Sequence, residues 1–169
     1  MEEPGAEELP EAHVLPVSGE LPYAGELGDQ TNTTGQILRH TVRHADLPAV
    51  AEVRRLLRQH LRDWGAPGLC DTAELLATEL VTNALQHTSQ GAVLTAAIVP
   101  DEAAGQRLRV EVYDARARRP RVPVQAGTPD DQGTSGRGLF LVQVMSDAWG
   151  SRAHGRGKVV WFELGVPRD

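Results

Sequence analysis

Two stretches of the chain carry apolar residues at the three- and four-residue spacing of amphipathic helices. The first begins after Asp46, a predicted N-cap, and runs to about Trp64. The second covers residues 71–88 and begins at the predicted cap Asp71. Its apolar residues recur at every fourth position: Leu76, Leu80 and Ala84. Because only a short loop separates the two helices, we expect them to pack side by side.

Shorter stretches rich in branched and aromatic residues predict the strands of a sheet. They cover residues 36–43, expected at a sheet edge, then 92–99, 108–114, and a final hairpin over 148–166 that turns near Gly155 and Gly157. In the strand 108–114 apolar residues alternate with Arg109, Glu111 and Tyr113, so we expect one buried face and one half-exposed face. This order of elements predicts an α+β fold, a two-layer sandwich with helices on one face of a mostly antiparallel or mixed sheet.

A polar segment, residues 115–135, separates the strand 108–114 from the next predicted helix. Loops of this length inside compact domains are usually functional, and many act as lids. Glycines at 133, 136 and 138 then lead into a helix whose predicted inner face holds Leu139, Val142 and Met145. Backbone N–H groups at a helix N-terminus bind anions, so this junction is a candidate phosphate cradle. Glycines before helices also occur simply as turns.

Composition and charge divide the chain into two parts. Its 169 residues suffice for one domain with its own core. Residues 1–35 hold eight acidic residues and no Lys or Arg, so without them the net charge of −6 becomes about +2. We interpret residues 1–35 as an acidic disordered tail and residues 36–169 as the folded domain. The near balance of charge in that domain gives no reason to expect direct nucleic-acid binding.

Membrane and disulfide chemistry are not expected either. No stretch approaches the length of a membrane span, and the N-terminus lacks the basic residues of a signal peptide. The single cysteine, Cys70, cannot form an internal disulfide or a cysteine-based metal cluster. We therefore expect a soluble cytoplasmic protein with no membrane partner.

The candidate chemistry lies on the second helix. Glu79 and Asn83 are four residues apart and project from one side of the helix, and His87 continues that row. Asn is unfavourable inside a helix, so this position has a local cost that a function would explain. A carboxylate that accepts a proton beside an amide oxygen that binds a hard cation suits a metal-bound phosphate. A polar rim on an amphipathic helix is the alternative interpretation.

Three motifs together resemble a known superfamily. ELVTNALQH, VEVYDAR and GRGLFLV follow the order and approximate spacing of the N, G1 and G2 boxes of the Bergerat-fold (GHKL) ATPases. Residues 36–167 are similar to its compact branch, the anti-sigma-factor serine kinases and their stand-alone bacterial relatives. The resemblance implies ATP and Mg²⁺ as cofactors.

The resemblance also implies a role for each site residue. Asn83 would ligate Mg²⁺, Glu79 would accept the proton of the attacking hydroxyl, and Asp114 would accept a hydrogen bond from the adenine amine. Backbone N–H groups at the start of the last helix would bind the phosphates: Gly136, Gly138 and Leu139. Arg137 would either pair with a phosphate or point to solvent.

Two positions depart from the family pattern. Arg116 replaces the glycine of the D-x-G box, and Val159 stands where relatives often carry a Thr that supports the contact between Asp114 and adenine. Loss of one such hydrogen bond, at about 1 kcal/mol, would lower ATP affinity about fivefold.

The resemblance suggests a regulatory protein that phosphorylates Ser or Thr of an antagonist protein, sequesters a sigma factor, or does both. A degenerate, non-catalytic domain that binds a partner is the alternative. Relatives of this kind often pair as homodimers. The residues themselves leave the oligomeric state of this chain open.

Overall fold

The computed structural model describes residues 36–43, 47–86, 91–114 and 134–168. The predicted acidic tail, the cap Asp46, His87 and most of the predicted lid, with Arg116 and Gly133, lie outside these residues. The elements are, in chain order, β1 (Ile37–Val42), α1 (Leu47–Asp63), α2 (Cys70–Gln86), β2 (Ala92–Asp101), β3 (Gly105–Asp114), α3 (Thr134–Met145), β4 (Ala148–His154) and β5 (Gly157–Gly165). They match the predicted helices and strands in their predicted order.

The five strands form one sheet in the order β1-β2-β3-β5-β4. Every described pairing is antiparallel, so the sheet is the antiparallel one of the two predicted arrangements. β1 lies at an edge, as predicted, and β3 lies at the centre. The predicted α+β class is confirmed.

The helices cover one face of the sheet, and the core lies between the two layers. Apolar side chains from both layers are at most 3% exposed, among them Val53, Leu57, Leu61, Leu76, Leu80, Leu94, Val110, Val112 and Phe162. The predicted inner face of α2 is therefore confirmed, and α1 contributes Val53, Leu57 and Leu61 to the same core. None of the described helices is long and apolar enough to cross a membrane.

The start of α2 differs from the prediction. A short 3₁₀ turn, Pro67–Leu69, runs directly into the helix at Cys70. Asp71 therefore lies inside the first turn, and its carboxylate accepts a hydrogen bond from Arg58 Nη2 at 2.8 Å. The Asp71 cap prediction is wrong because the 3₁₀ turn continues the helical backbone through the cap position.

The helix-free face of the sheet carries buried charges, contrary to the half-exposed face that the alternation predicted. Arg109, Glu111 and Glu163 are at most 6% exposed. Arg109 donates to Glu111 Oε1 at 2.8 Å and to Glu163 Oε1 at 2.6 Å, and its guanidinium lies 4.2 Å from the centre of the Trp161 ring. The expectation fails for Arg109 and Glu111, because the buried charges satisfy one another and need no contact with water, whereas Tyr113 is half-buried as predicted.

Candidate functional site

The predicted pair on α2 contains an unusual buried atom. Glu79 and Asn83 lie one helical turn apart, and both are half-buried. The amide oxygen Oδ1 of Asn83 is buried and has no hydrogen-bond partner among the described residues. A buried oxygen without a hydrogen bond lowers the stability of the fold, so this atom is suited to a ligand that offers a hydrogen-bond donor or a positive charge. Its chemistry fits a hard cation such as Mg²⁺.

Asn83 also lines a small pocket between α2 and the sheet. The pocket is bounded by Leu80, Asn83, Ala84, Val112, Asp114, Lys158 and Val160. Most of these side chains are apolar. Of the polar ones, Asn83 lies on the helix layer, and Asp114 and Lys158 lie on the sheet. Apolar walls with a few convergent polar groups are the lining typical of small-molecule and cofactor sites. The structure thus brings Asn83 and Asp114, separated by 31 positions in the sequence, to one site.

Asp114 is the last residue of β3 and is 3% exposed. Its position depends on Gly157, the first residue of β5. A Cβ atom at Gly157 would lie 2.0 Å from the Asp114 carbonyl oxygen and 2.8 Å from Tyr113 Cε2. Gly157 therefore allows the close approach of the two strands, whereas the hairpin turn relies on Gly155, which has φ of +54°. Of the two predicted turn glycines, Gly155 alone has a turn conformation.

Lys158 is the pocket residue that the sequence reasoning missed. Asp114 pairs with Lys158 across β3 and β5, and Tyr113 pairs with Val159. Val159 consequently faces the other side of the sheet, so the prediction that it stands beside the contact between Asp114 and adenine is wrong. Lys158 Nζ lies 3.6 Å from Asp114 Oδ2, and both side chains are at most 10% exposed. One signal was available, because Lys158 is the only lysine in the chain and precedes an apolar strand segment.

α3 begins earlier than predicted. Its first residue is Thr134, so Gly136 and Gly138 lie inside the helix and do not precede it. The prediction that all three glycines lead into the helix is wrong for these two. Helical bonds reach back four residues, so the N–H groups of residues 134–136 have no intrahelical partner, and intrahelical bonding begins with the N–H of Arg137. Those of Gly138 and Leu139 follow inside the helix, so among the predicted phosphate-binding residues Gly136 is the best placed for an anion.

The side chains of α3 point in different directions. Arg137 is exposed, Leu139 is 1% exposed and belongs to the core, and Val142 is fully buried. Met145, predicted on the same inner face, is 39% exposed. Met145 is the last residue of α3, and the chain enters β4 three residues later.

Gly138 of α3 lies against Glu79, the residue predicted to act as the general base. A Cβ atom at Gly138 would lie 2.6 Å from Glu79 Oε2 and 3.3 Å from Glu79 Cβ. α3 thus approaches α2 at the Glu79 side chain. The described site has two parts that share α2: a pocket with Asn83, Asp114 and Lys158, and a helix contact with Glu79 and Gly138. The roles predicted for these residues stay predictions.

Sequence and structure comparisons identify the family. The profile of the histidine kinase-like ATPase domain matches residues 44–164. The chain belongs to this family, and the predicted resemblance to the Bergerat-fold ATPases is confirmed. Comparison with curated proteins finds no match.

Two solved structures have a similar fold. The RsbU and RsbW domains of Rv1364c from Mycobacterium tuberculosis align with a TM-score of 0.57 and 20% identity, over 80% of this chain and 34% of that chain. The chain therefore spans about a third of that structure's length. The SiaB–SiaC complex from Pseudomonas aeruginosa aligns with a TM-score of 0.53 and 14% identity, over 76% of this chain and 89% of that chain. At these identities the similarity concerns the fold.

Proposed function

We propose that the chain is an ATP- and Mg²⁺-binding regulatory protein that phosphorylates a Ser or Thr of an antagonist protein. One observation carries the proposal. The buried amide oxygen of Asn83, which has no hydrogen-bond partner in the described part of the chain, lies one turn from the Glu79 carboxylate and beside the pocket that contains Asp114. A cation ligand, a proton acceptor and a base-binding carboxylate are thereby grouped around one helix.

Asn83 would be the protein's ligand to Mg²⁺. Among the described residues, no group of three His, Cys, Asp or Glu side chains is placed to hold a metal ion. Mg²⁺ usually keeps several waters and binds nucleotides through one or two protein oxygens and the phosphates. A single amide oxygen therefore fits a cation that arrives with ATP.

Glu79 would act as the general base. The partner's hydroxyl oxygen forms a bond to the γ-phosphorus, the bond from that phosphorus to the β,γ-bridging oxygen breaks, and the hydroxyl proton passes to the Glu79 carboxylate. ADP leaves with the electron pair of the broken bond. The N–H group of Gly136 would bind a phosphate oxygen at the start of α3.

The partner class is part of the proposal. One structure of similar fold is a complex of SiaB with SiaC, and the other contains an RsbW domain. These similarities support an anti-sigma-factor type of regulator with a protein antagonist. We include sequestration of a sigma factor as a second activity of the same kind of protein.

One observation favours a different function. Asp114 is ion-paired with Lys158 inside the small pocket, so the carboxylate that would select adenine already has a positive partner. A domain whose base pocket is closed in this way would act as a non-catalytic module that binds a partner protein. Nucleotide binding separates the two functions.

The test uses radiolabelled ATP, Mg²⁺ and purified antagonist candidates. We expect phosphate transfer that falls at least 100-fold in Glu79→Gln while ATP affinity changes little, since a general base contributes about 10²–10⁴-fold. Glu102→Gln, at an exposed turn position, is the matched control. Transfer that does not depend on Glu79 would overturn the kinase mechanism, and absence of ATP binding would favour the binding module.

A further inference from the structure

Lys158 and Asp114 form a matched pair at one end of the pocket. They are direct partners in the antiparallel register of β3 and β5, and both line the cavity beside Asn83. Their side chains are 10% and 4% exposed, and Nζ lies 3.6 Å from Oδ2. This separation is longer than a hydrogen bond, so the ammonium is near the carboxylate without being saturated by it.

The two groups have complementary hydrogen-bonding capacity. An ammonium offers three donors and no acceptor, whereas an ionised carboxylate offers only acceptors. A ligand that satisfies both must present a donor next to an acceptor. The edge of adenine has this pattern, because its exocyclic amine is a donor and the adjacent ring nitrogen N1 is an acceptor.

We propose that Lys158 is a base-reading residue that donates a hydrogen bond to adenine N1 while Asp114 accepts one from the exocyclic amine. This inference rests on the proposed function, because it assigns a specificity determinant to the same nucleotide site. With Lys158, the site would contact two polar groups of adenine, the exocyclic amine and N1, and not the amine alone.

The pair would also reject guanine. In the same orientation, guanine places its O6 acceptor against the Asp114 carboxylate and its N1–H donor against the Lys158 ammonium. Both contacts are repulsive, because an acceptor faces the Asp114 carboxylate and a donor faces the Lys158 ammonium. Sites that pair buried polar groups with a substrate can discriminate by about 10⁴–10⁵-fold.

Calorimetric titration of the full chain with three nucleotides tests the inference. The nucleotides are ATP, GTP and 1-deaza-ATP, in which a C–H group replaces N1. We expect the wild type to bind ATP about 10- to 100-fold more tightly than 1-deaza-ATP, as for a hydrogen bond to a charged group. Lys158→Met keeps the length of the side chain and removes the charge. It should weaken ATP binding by the same factor and change 1-deaza-ATP binding less than twofold.

A second measurement reports on Lys158 directly. Because the chain has one lysine, labelling with ¹³C-lysine gives a single side-chain signal in an NMR spectrum. ATP should shift this signal strongly, and 1-deaza-ATP should shift it much less. Arg62→Met, which removes an exposed charge on α1, is the control for a general loss of positive charge and should bind all nucleotides as the wild type does.

The outcomes distinguish this inference from the proposed function. Tighter ATP binding by Lys158→Met would overturn the inference, because Lys158 would then compete with adenine for Asp114. Equal weakening for ATP and 1-deaza-ATP would also overturn it, since Lys158 would only position Asp114. In either case ATP still binds and the proposed function stands. Failure of the wild type to bind any of the nucleotides would overturn both.

Discussion

Gly138 of α3 lies against the side chain of Glu79 on α2, with space for a hydrogen atom but not for a methyl group. A Cβ at Gly138 would lie 2.6 Å from Glu79 Oε2 and 3.3 Å from Glu79 Cβ. Either the carboxylate or the helix must move if any side chain is added. The position of the proposed base therefore depends on a glycine in a different element.

Gly138→Ala should reduce phosphate transfer by about 10- to 100-fold, because a misplacement of about 1 Å at a reacting group can cost 100-fold. ATP affinity should change much less, since Asn83, which lines the pocket with Asp114, lies one helical turn from Glu79. Gly68→Ala is the control, because a Cβ there meets nothing within 4 Å and φ is not positive. Steady-state kinetics with thermal unfolding checks the prediction, and full activity of Gly138→Ala would contradict it.

Asn83→Ala should stabilise the free protein while it removes the effect of Mg²⁺ on ATP binding. The change eliminates a buried oxygen that has no partner among the described residues and improves helix propensity. We expect the free energy of unfolding to rise by about 0.5–1 kcal/mol. Urea unfolding and titrations with and without Mg²⁺ measure the two effects.

Thr82→Ala on the same helix reports the contribution of propensity alone. If Asn83→Ala is less stable than the wild type and still shows Mg²⁺-dependent binding, the amide oxygen is not the metal ligand.

The elements and the α2 pair could be predicted because local spacing determines them. Leu76, Leu80 and Ala84 mark the inner face of α2 at intervals of four, and the same interval places Asn83 beside Glu79. Neither inference requires knowledge of which strands meet. Periodicity within one element was sufficient for these features.

Features that depend on strand register could not be read from the sequence. A shift of one residue between β3 and β5 exchanges Lys158 for Val159 beside Asp114, and this shift is the difference between the predicted and the observed neighbour of Asp114. The buried charges of Arg109 and Glu163 likewise need the register that places them opposite each other. Single-strand alternation assigns such residues to an exposed face, because it cannot show their partners across the sheet.

Glu163→Ala should be strongly destabilising. Glu163 is 1% exposed, and its two oxygens accept hydrogen bonds from Arg107 Nη1 and Arg109 Nη1, each at 2.6 Å. Truncation removes the acceptor of a buried guanidinium, a change that typically costs about 3–5 kcal/mol. Chemical unfolding measures the loss.

Glu52→Ala serves as the comparison, because Glu52 pairs with Arg55 at the surface, where ion pairs contribute less than about 1 kcal/mol. Equal losses of unfolding free energy in the two variants would show that burial does not strengthen the ion pairs of Glu163.

The stability of the domain should fall as the pH drops below about 6.5, in part because of His40. This residue lies on β1 and pairs with Leu94, and its half-buried ring has Glu52 and Arg55 of α1 as charged neighbours. Burial lowers the pKa of His40 below its usual value of 6.5, and the opposing effect of Glu52 is smaller. The unfolded chain therefore binds a proton more readily than the folded one. The stability contribution is complete above pH 6.5 and declines as the pH falls toward the folded pKa.

His40→Gln keeps a polar side chain that does not titrate, so it should flatten this decline. The free energy of unfolding, measured at pH 7.5 and pH 5.5, should fall less in the variant than in the wild type. The five other histidines are present in both proteins, so they do not contribute to the difference between them. Since β1 is an edge strand that pairs only with β2 in the described sheet, the loss at low pH should appear first in the amide exchange of Ile37–Val42. An equal decline in both proteins would show that the proton binds elsewhere.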